Sequence, residues 1–349
     1  MDENNPRARR RWSRRAMLAG AGGAAAGALT VGAGWWAAGD DAATSTAMLP
    51  TADRLGHALL WTTLGTMSGP TGSSARAQPA NLLHDGEHAI VVDAGDGMVD
   101  QLVKADVALT SVQTVVLSHL HIDHTAGLLG LVGRRLQQFI STPLMVFGPP
   151  GTAQEIERIQ GSLQGLVELM STGGRRLPPP SFGITVQEIT DGATVTLGPV
   201  RLTAATNSHY GFAPGTPEAT RFQSLSYRFD MPDRAIVFTG DTGPCPNVER
   251  LARGADLLVS EIDDPDAALE QVEATRPDLP AAAIPALREH FDSQHLSATN
   301  VGLLARAAGV GAVVLTHNPL DDARIAAARP QIAANFAGPV AVANDLDNW

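Results

Sequence analysis

Runs of apolar and polar residues along the chain predict strands and helices in a repeating order. The β-branched run Ser111–Ser118 is typical of a buried strand, as is the run His88–Ala94 before it. Between them, the spacing of apolar residues over Met98–Ala108 predicts a helix, and a longer helical pattern covers Gln154–Met170. The other predicted strands are His57–Gly65, Leu144–Gly148, Ile184–Ile189, Thr194–Leu197, Val200–Ala205, Gln223–Phe229, Ala235–Thr239, Leu257–Ser260 and Ala312–Thr316, and the other predicted helices are Gly127–Gly133, Val248–Arg253, Ala281–Phe291 and Ala298–Ala308.

This order of elements favours an α+β fold in which two sheets are covered by helices on the outside. A proline-containing loop, Gly173–Ser181, separates two similar halves, and no composition shift marks a linker between them. We therefore expect residues 48–349 to form one domain.

The first 47 residues have a different pattern. Arginines between Arg7 and Arg15 precede an Ala- and Gly-rich run, Ala16–Ala38, which is the layout of an export signal. The segment Ser13–Leu18 resembles the twin-arginine signature. Residues 1–47 are thus predicted to be a signal peptide and short linker read by the twin-arginine export machinery, with the mature protein periplasmic or secreted and without a stable membrane anchor. The alternative is an uncleaved anchor, because the run is long enough to span a bilayer.

Composition narrows the possible partners. The chain of 349 residues has a formal net charge of −11, and Lys104 is its single lysine. Because polyanion binding depends on phosphate neutralisation, a broad nucleic-acid surface is not expected. Cys245 is the single cysteine, which excludes a disulfide within the chain, and it is interpreted as a small packed residue.

The segment after the strand Ser111–Ser118 places three histidines and an aspartate within six residues, as His119, His121, Asp123 and His124. Imidazole and carboxylate groups are ligands that zinc and similar ions accept. Side chains alternate along a strand, so His119 and His121 share a face, while Asp123 and His124 are expected on the loop beyond. The cluster predicts a metal site suited to two ions.

Three later strand ends carry further ligand types, namely His209, Asp241 and His317. Functional residues collect where loops leave a rigid scaffold. Taken singly, Asp241 is also explained as a turn residue. Each histidine is also explained as a partly buried, hydrogen-bonded ring.

Together, the segment Ser118–Gly127, His209, Thr239–Thr242 and Leu315–His317 resemble the metallo-β-lactamase superfamily over about residues 55 to 320. The resemblance implies a four-layer αββα sandwich for the hydrolase domain 48–349, with two mixed sheets, outer helices and two metals at the sheet edges. It implies that His119, His121 and His209 hold one ion, that Asp123, His124 and His317 hold the other, and that Asp241 bridges them.

Two divalent ions about 4 Å apart lower the pKa of a bridging water and supply hydroxide as the nucleophile. Zinc is expected, with manganese or iron as alternatives. Asp123 is the catalytic carboxylate expected to steer the attack. No Gly-x-Ser-x-Gly motif offers a competing covalent mechanism.

Further segments resemble the branch of ribonuclease Z, phosphodiesterases and arylsulfatase-like enzymes, namely Leu64–Pro70, Val92–Gly97, Leu258–Glu261 and His295–Ala298. In that branch a glutamate and a histidine protonate the leaving oxygen, a role that the resemblance gives to Glu261 and His295. The alternative is that Glu261 ends a strand at the surface and that His295 caps the following helix.

The expected function is that of an exported, metal-dependent hydrolase acting on a small-molecule phosphodiester or sulfate ester. Transfer RNA is not expected as a substrate, because the chain is acidic and the region between Gly151 and Ile184 lacks a Gly-rich basic segment. A lactonase or other carboxylic-ester hydrolase is the alternative, and a non-enzymatic zinc protein is the third hypothesis. A homodimer is compatible with the sequence.

Overall fold

The fold is described from a computed structural model. It covers residues 34–36, 60–69, 72–84, 88–172, 176–179 and 181–349. These ranges include the strand Gly34–Trp36, which falls within the predicted signal peptide and linker. The other residues of 1–47 lie outside the described ranges.

Fifteen strands of the described residues form two mixed sheets. One sheet has the order β15-β2-β3-β4-β5-β6-β7, and the other has the order β1-β14-β13-β12-β11-β10-β9-β8. Strands β4 to β7 are parallel to one another, as are β11 to β14, and the remaining pairs are antiparallel. The strands are β1 Gly34–Trp36, β2 Leu60–Gly65, β3 Ala80–His84, β4 Ala89–Ala94, β5 Val112–Val116, β6 Leu144–Gly148, β7 Ile184–Glu188, β8 Thr194–Leu197, β9 Val200–Thr206, β10 Leu225–Asp230, β11 Ala235–Phe238, β12 Leu257–Glu261, β13 Ala312–Thr316, β14 Val340–Val342 and β15 Asp347–Asn348.

Helices connect the strands and cover the outer faces of both sheets. Within the described ranges, none of them has both the length and the apolar character that a bilayer crossing needs. The helices are α1 Met98–Lys104, α2 Ile122–Thr125, α3 Gly127–Gln137, α4 Thr152–Ser162, α5 Gln164–Met170, α6 Pro217–Arg221, α7 Pro246–Ala252, α8 Pro265–Thr275, α9 Ile284–Gln294, α10 Ala298–Ala308 and α11 Asp322–Ala333, with a 3-10 turn at Ala281–Ala283 before α9.

Three apolar clusters produce the layers. In β4, Ile90 and Val92 pack between the two sheets, whereas Val91 points outward to the cluster beneath α1 and α3. In β13, Val314 points inward and Val313 packs beneath α10 and α11. Because side chains alternate along a strand, central strands with two buried faces are apolar almost throughout. The αββα sandwich expected from the sequence is confirmed.

Some predicted elements differ in their bounds. The helix predicted over Gln154–Met170 is two helices that meet at Leu163, because glycines at Gly161 and Gly165 weaken helix propensity by about 1 kcal/mol each. The helix predicted to reach Ala108 ends at Lys104, just before Asp106 adopts a left-handed φ of 57°. The residues expected on a loop, Asp123 and His124, lie instead on the short helix α2.

Candidate metal centre

The seven predicted metal ligands lie together at the edge of the sandwich where both sheets end. Parallel strands present their carboxyl ends at the same edge, so residues distant in sequence converge there. One sheet contributes the residues after β5, which are His119 and His121 and, on α2, Asp123 and His124. The other sheet contributes His209 after β9, Asp241 after β11 and His317 after β13.

Three imidazoles form the first group. The Nδ1 atom of His121 lies 3.1 Å from Nε2 of His119 and 3.1 Å from Nε2 of His209. His119 and His209 are buried, whereas His121 is exposed. Three ring nitrogens that face one point give a donor set suited to a divalent ion.

The second group combines Asp123, His124 and His317 around Asp241. The Oδ2 atom of Asp123 lies 3.4 Å from Nε2 of His124 and 3.6 Å from Nε2 of His317. The Oδ2 atom of Asp241 lies 3.4 Å and 3.2 Å from the same two nitrogens. It also lies 3.9 Å and 3.8 Å from Nε2 of His119 and His209. Asp241 therefore occupies the position of a bridge between the two groups.

A buried carboxylate, Asp93, orients ligands of both groups. Its Oδ2 atom accepts hydrogen bonds from Nδ1 of His124 at 2.8 Å and from the hydroxyl of Ser118 at 2.7 Å, and its Oδ1 atom accepts one from the Ser118 amide at 2.7 Å. The Ser118 hydroxyl in turn lies 3.0 Å from Nδ1 of His119. With their Nδ1 atoms engaged in this way, His119 and His124 direct Nε2 towards the cluster. On the other side, Nδ1 of His209 lies 3.2 Å from the carbonyl oxygen of Gln294.

Asp93 was not among the residues that the sequence predicted for the site. It lies in the segment Asp93-Ala94-Gly95-Asp96-Gly97, which has the composition of an ordinary turn. The signal that distinguishes it is its position at the end of a strand parallel to β5, one strand away from the histidine cluster.

Burial and mutual charge set the protonation of these groups. Burial lowers the pKa of His119 and, to about 3, that of His209. Partial loss of solvent around its ring also lowers the pKa of the more exposed His121, so all three rings favour the neutral form that binds metal. Burial alone would raise the pKa of Asp241, but the facing His317 and His124 hold it well below the ordinary value. The carboxylate is therefore available as an anionic ligand.

The residues present fit divalent metal ions. The Nε2 atoms of His124 and His317 and the Oδ1 atom of Asp241 are buried and have no hydrogen-bond partner among the described residues. Buried polar atoms are normally paired, so three such atoms in one cluster need an explanation. A bound ion provides one, and imidazole with carboxylate suits zinc and, with more oxygen ligands, manganese or iron.

Glu261 and His295, the predicted relay pair, lie beside the ligands. The Nδ1 atom of His295 donates to Oε2 of Glu261 at 2.7 Å, and Oε1 of Glu261 accepts from the Thr242 amide. Glu261 is 1% exposed, which excludes the surface position that the sequence left open. The cap of α10 is Ser297, so His295 is not the cap either.

The charge of Glu261 determines the protonation of His295. Burial alone would lower the pKa of His295, but the carboxylate of Glu261 raises it to about 10. The contact with Glu261 therefore favours the protonated form of the His295 ring. His295 also lies close enough to His209 and Asp241 to form a third group of ligand atoms, so it borders the metal cluster directly.

A pocket of about 420 Å³ contains the centre. Helices α8 and α9 form one wall through Ala268, Val272 and Phe291, and Ile122 adds another apolar side chain. No lysine or arginine is among its lining residues in the described part of the chain. Ser68 and Gly69, in the segment after β2, also line it. Cys245 lies elsewhere, with Sγ 3.8 Å from the Thr206 carbonyl oxygen.

A sandwich of two mixed sheets with convergent histidines and aspartates at one edge defines a metal-dependent hydrolase. The chain belongs to the metallo-β-lactamase superfamily, since residues 88–318 match the family described as the Beta-lactamase superfamily domain.

The chain is also similar in sequence to curated proteins and in fold to solved structures. Ribonuclease Z of Mycobacterium avium (strain 104) is 31% identical over 294 residues, which cover 82% of this chain and 95% of that protein. The fold is similar to that of the metallo-beta-lactamase fold protein YhfI from Bacillus subtilis, with a TM-score of 0.59 and 19% identity over 83% of this chain and 98% of the other. Human tRNase Z, short form, gives a TM-score of 0.56 and 20% identity, with 83% and 98% covered.

Proposed function

We propose that the chain hydrolyses a phosphodiester or the related sulfate ester with two divalent ions, most simply zinc, with manganese or iron as alternatives. His119, His121 and His209 would hold one ion, Asp123, His124 and His317 the other, and Asp241 both. When bound, such ions activate water and stabilise the negative charge that develops at the ester. The observation that carries the proposal is the buried pair of Glu261 and His295 beside the ligands.

The pair of Glu261 and His295 can supply the proton that the leaving group of a phosphodiester requires. An alcohol leaves as a strongly basic alkoxide unless a positioned acid protonates its oxygen, and such proton transfer contributes about 10²- to 10⁴-fold to the rate. His295 is tied through Nδ1 to Glu261, so its other nitrogen, Nε2, is the proton donor. Glu261 holds the ring in place and favours its protonated form.

Asp123 is the second catalytic residue of the proposal. Its carboxylate lies in the pocket, with Oδ2 within 3.6 Å of the rings of His124 and His317. From this position Oδ2 can accept a hydrogen bond from the attacking water and fix its direction. Asp123 would thus both hold a metal and orient the nucleophile.

We further propose that the protein is exported by the twin-arginine machinery and acts on a small ester, not on transfer RNA. The arginine-rich beginning of the chain supports export, and the net charge of −11 disfavours a polyanion. Ribonuclease Z relatives make the RNA activity a necessary control. A reporter fused behind residues 1–47 should be exported, and replacing Arg14 and Arg15 by lysine should keep it in the cytoplasm.

A carboxylic-ester or lactone hydrolase is the second candidate. The apolar pocket wall of Ala268, Val272 and Phe291 favours it, because the described lining has no cationic side chain to match an anionic substrate. In such a reaction the pair of Glu261 and His295 would matter less.

Turnover of purified, zinc-loaded protein on matched substrates separates these functions. We expect bis-p-nitrophenyl phosphate to be hydrolysed and an aliphatic lactone to be hydrolysed much more slowly, with precursor tRNA uncleaved. The reverse preference would move the assignment to the second candidate. Fewer than two ions per chain by mass spectrometry, after incubation with excess zinc, would remove the two-metal proposal.

A further inference from the structure

A second pocket, of about 700 Å³, also opens beside the metal centre. His121 lines both pockets. From His121 a row of aromatic rings leads away through Tyr210, Phe212 and Phe222, here named the aromatic platform. Successive ring centroids are 5.3 Å, 6.0 Å and 6.1 Å apart. The spacing is that of rings in direct contact.

The platform is anchored at its inner end and open at its outer end. The hydroxyl of Tyr210 accepts a hydrogen bond from the Leu120 amide at 3.2 Å, which ties it to the strand end that carries His119. Gly211, with a φ of 64°, allows the turn between Tyr210 and Phe212. Phe212 and Phe222 are 41% and 43% exposed. Single exposed apolar residues are ordinary, but adjacent exposed rings that line one pocket at a reactive centre indicate a binding surface.

Cationic side chains accompany the rings. The guanidinium carbon of Arg221 lies 4.8 Å from the centre of the Phe222 ring. Arg158 of α4 also lines this pocket, where it is paired with Glu155 at 3.2 Å, so Arg221 is the cation that faces the rings. Aromatic rings with arginine form the surface on which planar groups stack, including nucleobases of any sequence. The pocket of His295 lacks such cations in its described lining, so the two pockets suit different parts of one substrate.

The position of His295 determines which part of the substrate lies in each of the two pockets. If His295 protonates the departing oxygen, the alcohol that leaves must lie in the pocket of His295. The other ester substituent, which stays on phosphorus, then extends past His121 into the second pocket. In this reaction a water oxygen bonds to phosphorus and the bond from phosphorus to the leaving oxygen breaks. The attacking water releases a proton to solvent, the leaving oxygen takes a proton from His295, and His295 regains one from solvent. The products are an alcohol and a phosphomonoester.

We propose that the aromatic platform binds a planar ring, aryl or nucleobase, on the substituent that the phosphomonoester product retains. This inference rests on the proposed phosphodiesterase function and defines the substrate class of the same centre. It adds Phe212, Phe222 and Arg221 as specificity residues.

Three p-nitrophenyl phosphodiesters that differ only in the retained substituent test the proposal. The substituents are a methyl group, a phenyl group and a thymidine joined through its 5′ oxygen. In each ester p-nitrophenolate is the better leaving group. In the unsubstituted protein the KM for the phenyl and thymidine esters should lie below that for the methyl ester. In Phe222→Leu the ratio of aryl-ester KM to methyl-ester KM should rise about 5- to 150-fold, the range for loss of one stacked ring. Arg221→Gln should raise the same ratio by a smaller factor.

The matched control is Phe182→Leu, which replaces another exposed phenylalanine that lines neither pocket. It should leave every KM as in the unsubstituted protein. An unchanged ratio in Phe222→Leu would overturn the proposal. So would an equal rise of KM for all three esters, because that result indicates a distorted loop. A preference for the thymidine ester over the phenyl ester would identify a nucleobase, and the opposite preference an aryl group.

Binding without turnover separates this proposal from the function on which it rests. Saturation-transfer NMR should show transfer from the protein to the ring protons of phenyl phosphate. This signal should be reduced in Phe222→Leu and retained in Phe182→Leu. If no diester is hydrolysed but this pattern is seen, the phosphodiesterase function is wrong and the platform stands. If all three esters are hydrolysed with equal KM and the ring signal does not depend on Phe222, the function stands and the platform is wrong.

Discussion

Replacing Asp93 by asparagine isolates the role of the buried carboxylate that orients His124. The side chain keeps its size, and asparagine tolerates the left-handed φ of 59° that Asp93 adopts. The amide oxygen can still accept from the Ser118 amide. The amide nitrogen then replaces Oδ2, and its N–H groups face Nδ1–H of His124, which donated at 2.8 Å. The charge-assisted bond to His124 is lost, whereas the Ser118 hydroxyl, which also donated to Oδ2, can turn and accept from the amide. The backbone and the side-chain volume are preserved.

The size of the effect follows from that single bond. A hydrogen bond to a charged group contributes about 1.5 to 3 kcal/mol. At 1.4 kcal/mol per factor of ten, this corresponds to roughly 10- to 150-fold in affinity. Loss of a hydrogen-bond partner behind a metal-binding histidine costs about 10- to 100-fold, which agrees. We therefore expect the ion held by His124 to bind about 10- to 100-fold more weakly.

Competition with a chromogenic chelator measures the two affinities separately. The ion held by His119, His121 and His209 should be weakened less, because Asp93 reaches His119 only through the Ser118 hydroxyl. Asp96→Asn is the matched control, because Asp96 lies in the same turn but is exposed. Unchanged affinity of both ions in Asp93→Asn would refute the reasoning. Equal weakening of both ions, with a lower unfolding midpoint, would show instead that Asp93 supports the whole edge.

Three further substitutions test other parts of the structure. His295→Gln should slow hydrolysis of a diester with a phenol leaving group about 10²- to 10⁴-fold. Hydrolysis of a p-nitrophenyl diester should slow much less, because p-nitrophenolate leaves without a proton. Equal losses for the two substrates would contradict proton donation by His295. In Gly95→Ala the new Cβ would lie 2.2 Å from the Asp123 carbonyl oxygen, so metal content should fall, whereas Gly130→Ala, with 3.7 Å to Val99, should retain it. Tyr227→Phe removes a buried hydrogen bond of 2.7 Å to the Leu117 carbonyl oxygen and should lower the free energy of unfolding in urea by about 1 to 3 kcal/mol; an unchanged midpoint would contradict this.

The sequence predicted the two sheets because their central strands are apolar on both faces. Short apolar runs such as Leu257–Ser260 and Ala312–Thr316 are typical of buried strands. The observed strands β12 and β13 nearly coincide with them. The missed helices α8 and α11 carried weaker signals. Asp264 and Pro265 mark the start of α8, but few of its residues are buried, so its apolar periodicity is faint. Pro330 inside α11 argued against a helix there.

The site was predictable where its residues are adjacent in sequence or end a strand. The cluster from His119 to His124 is recognisable by density alone, whereas His209, Asp241 and His317 needed the resemblance to be taken together. Asp93 and the platform residues were missed for a common reason. Their function depends on which strand ends and loops meet in space, and neither a turn aspartate nor a phenylalanine in a loop shows that in sequence.

The ligands come from both sheets, and this has a consequence for how the protein unfolds. An ion held by His124 and His317 closes a loop through most of the chain, as a long-range disulfide would, and closing a long loop removes much of the freedom of the unfolded ensemble. With Cys245 as the single cysteine, the chain has no disulfide of its own to do this. Metal supply would then set the lifetime of the folded protein as well as its activity, and chelation would expose it to proteases before the core itself weakens.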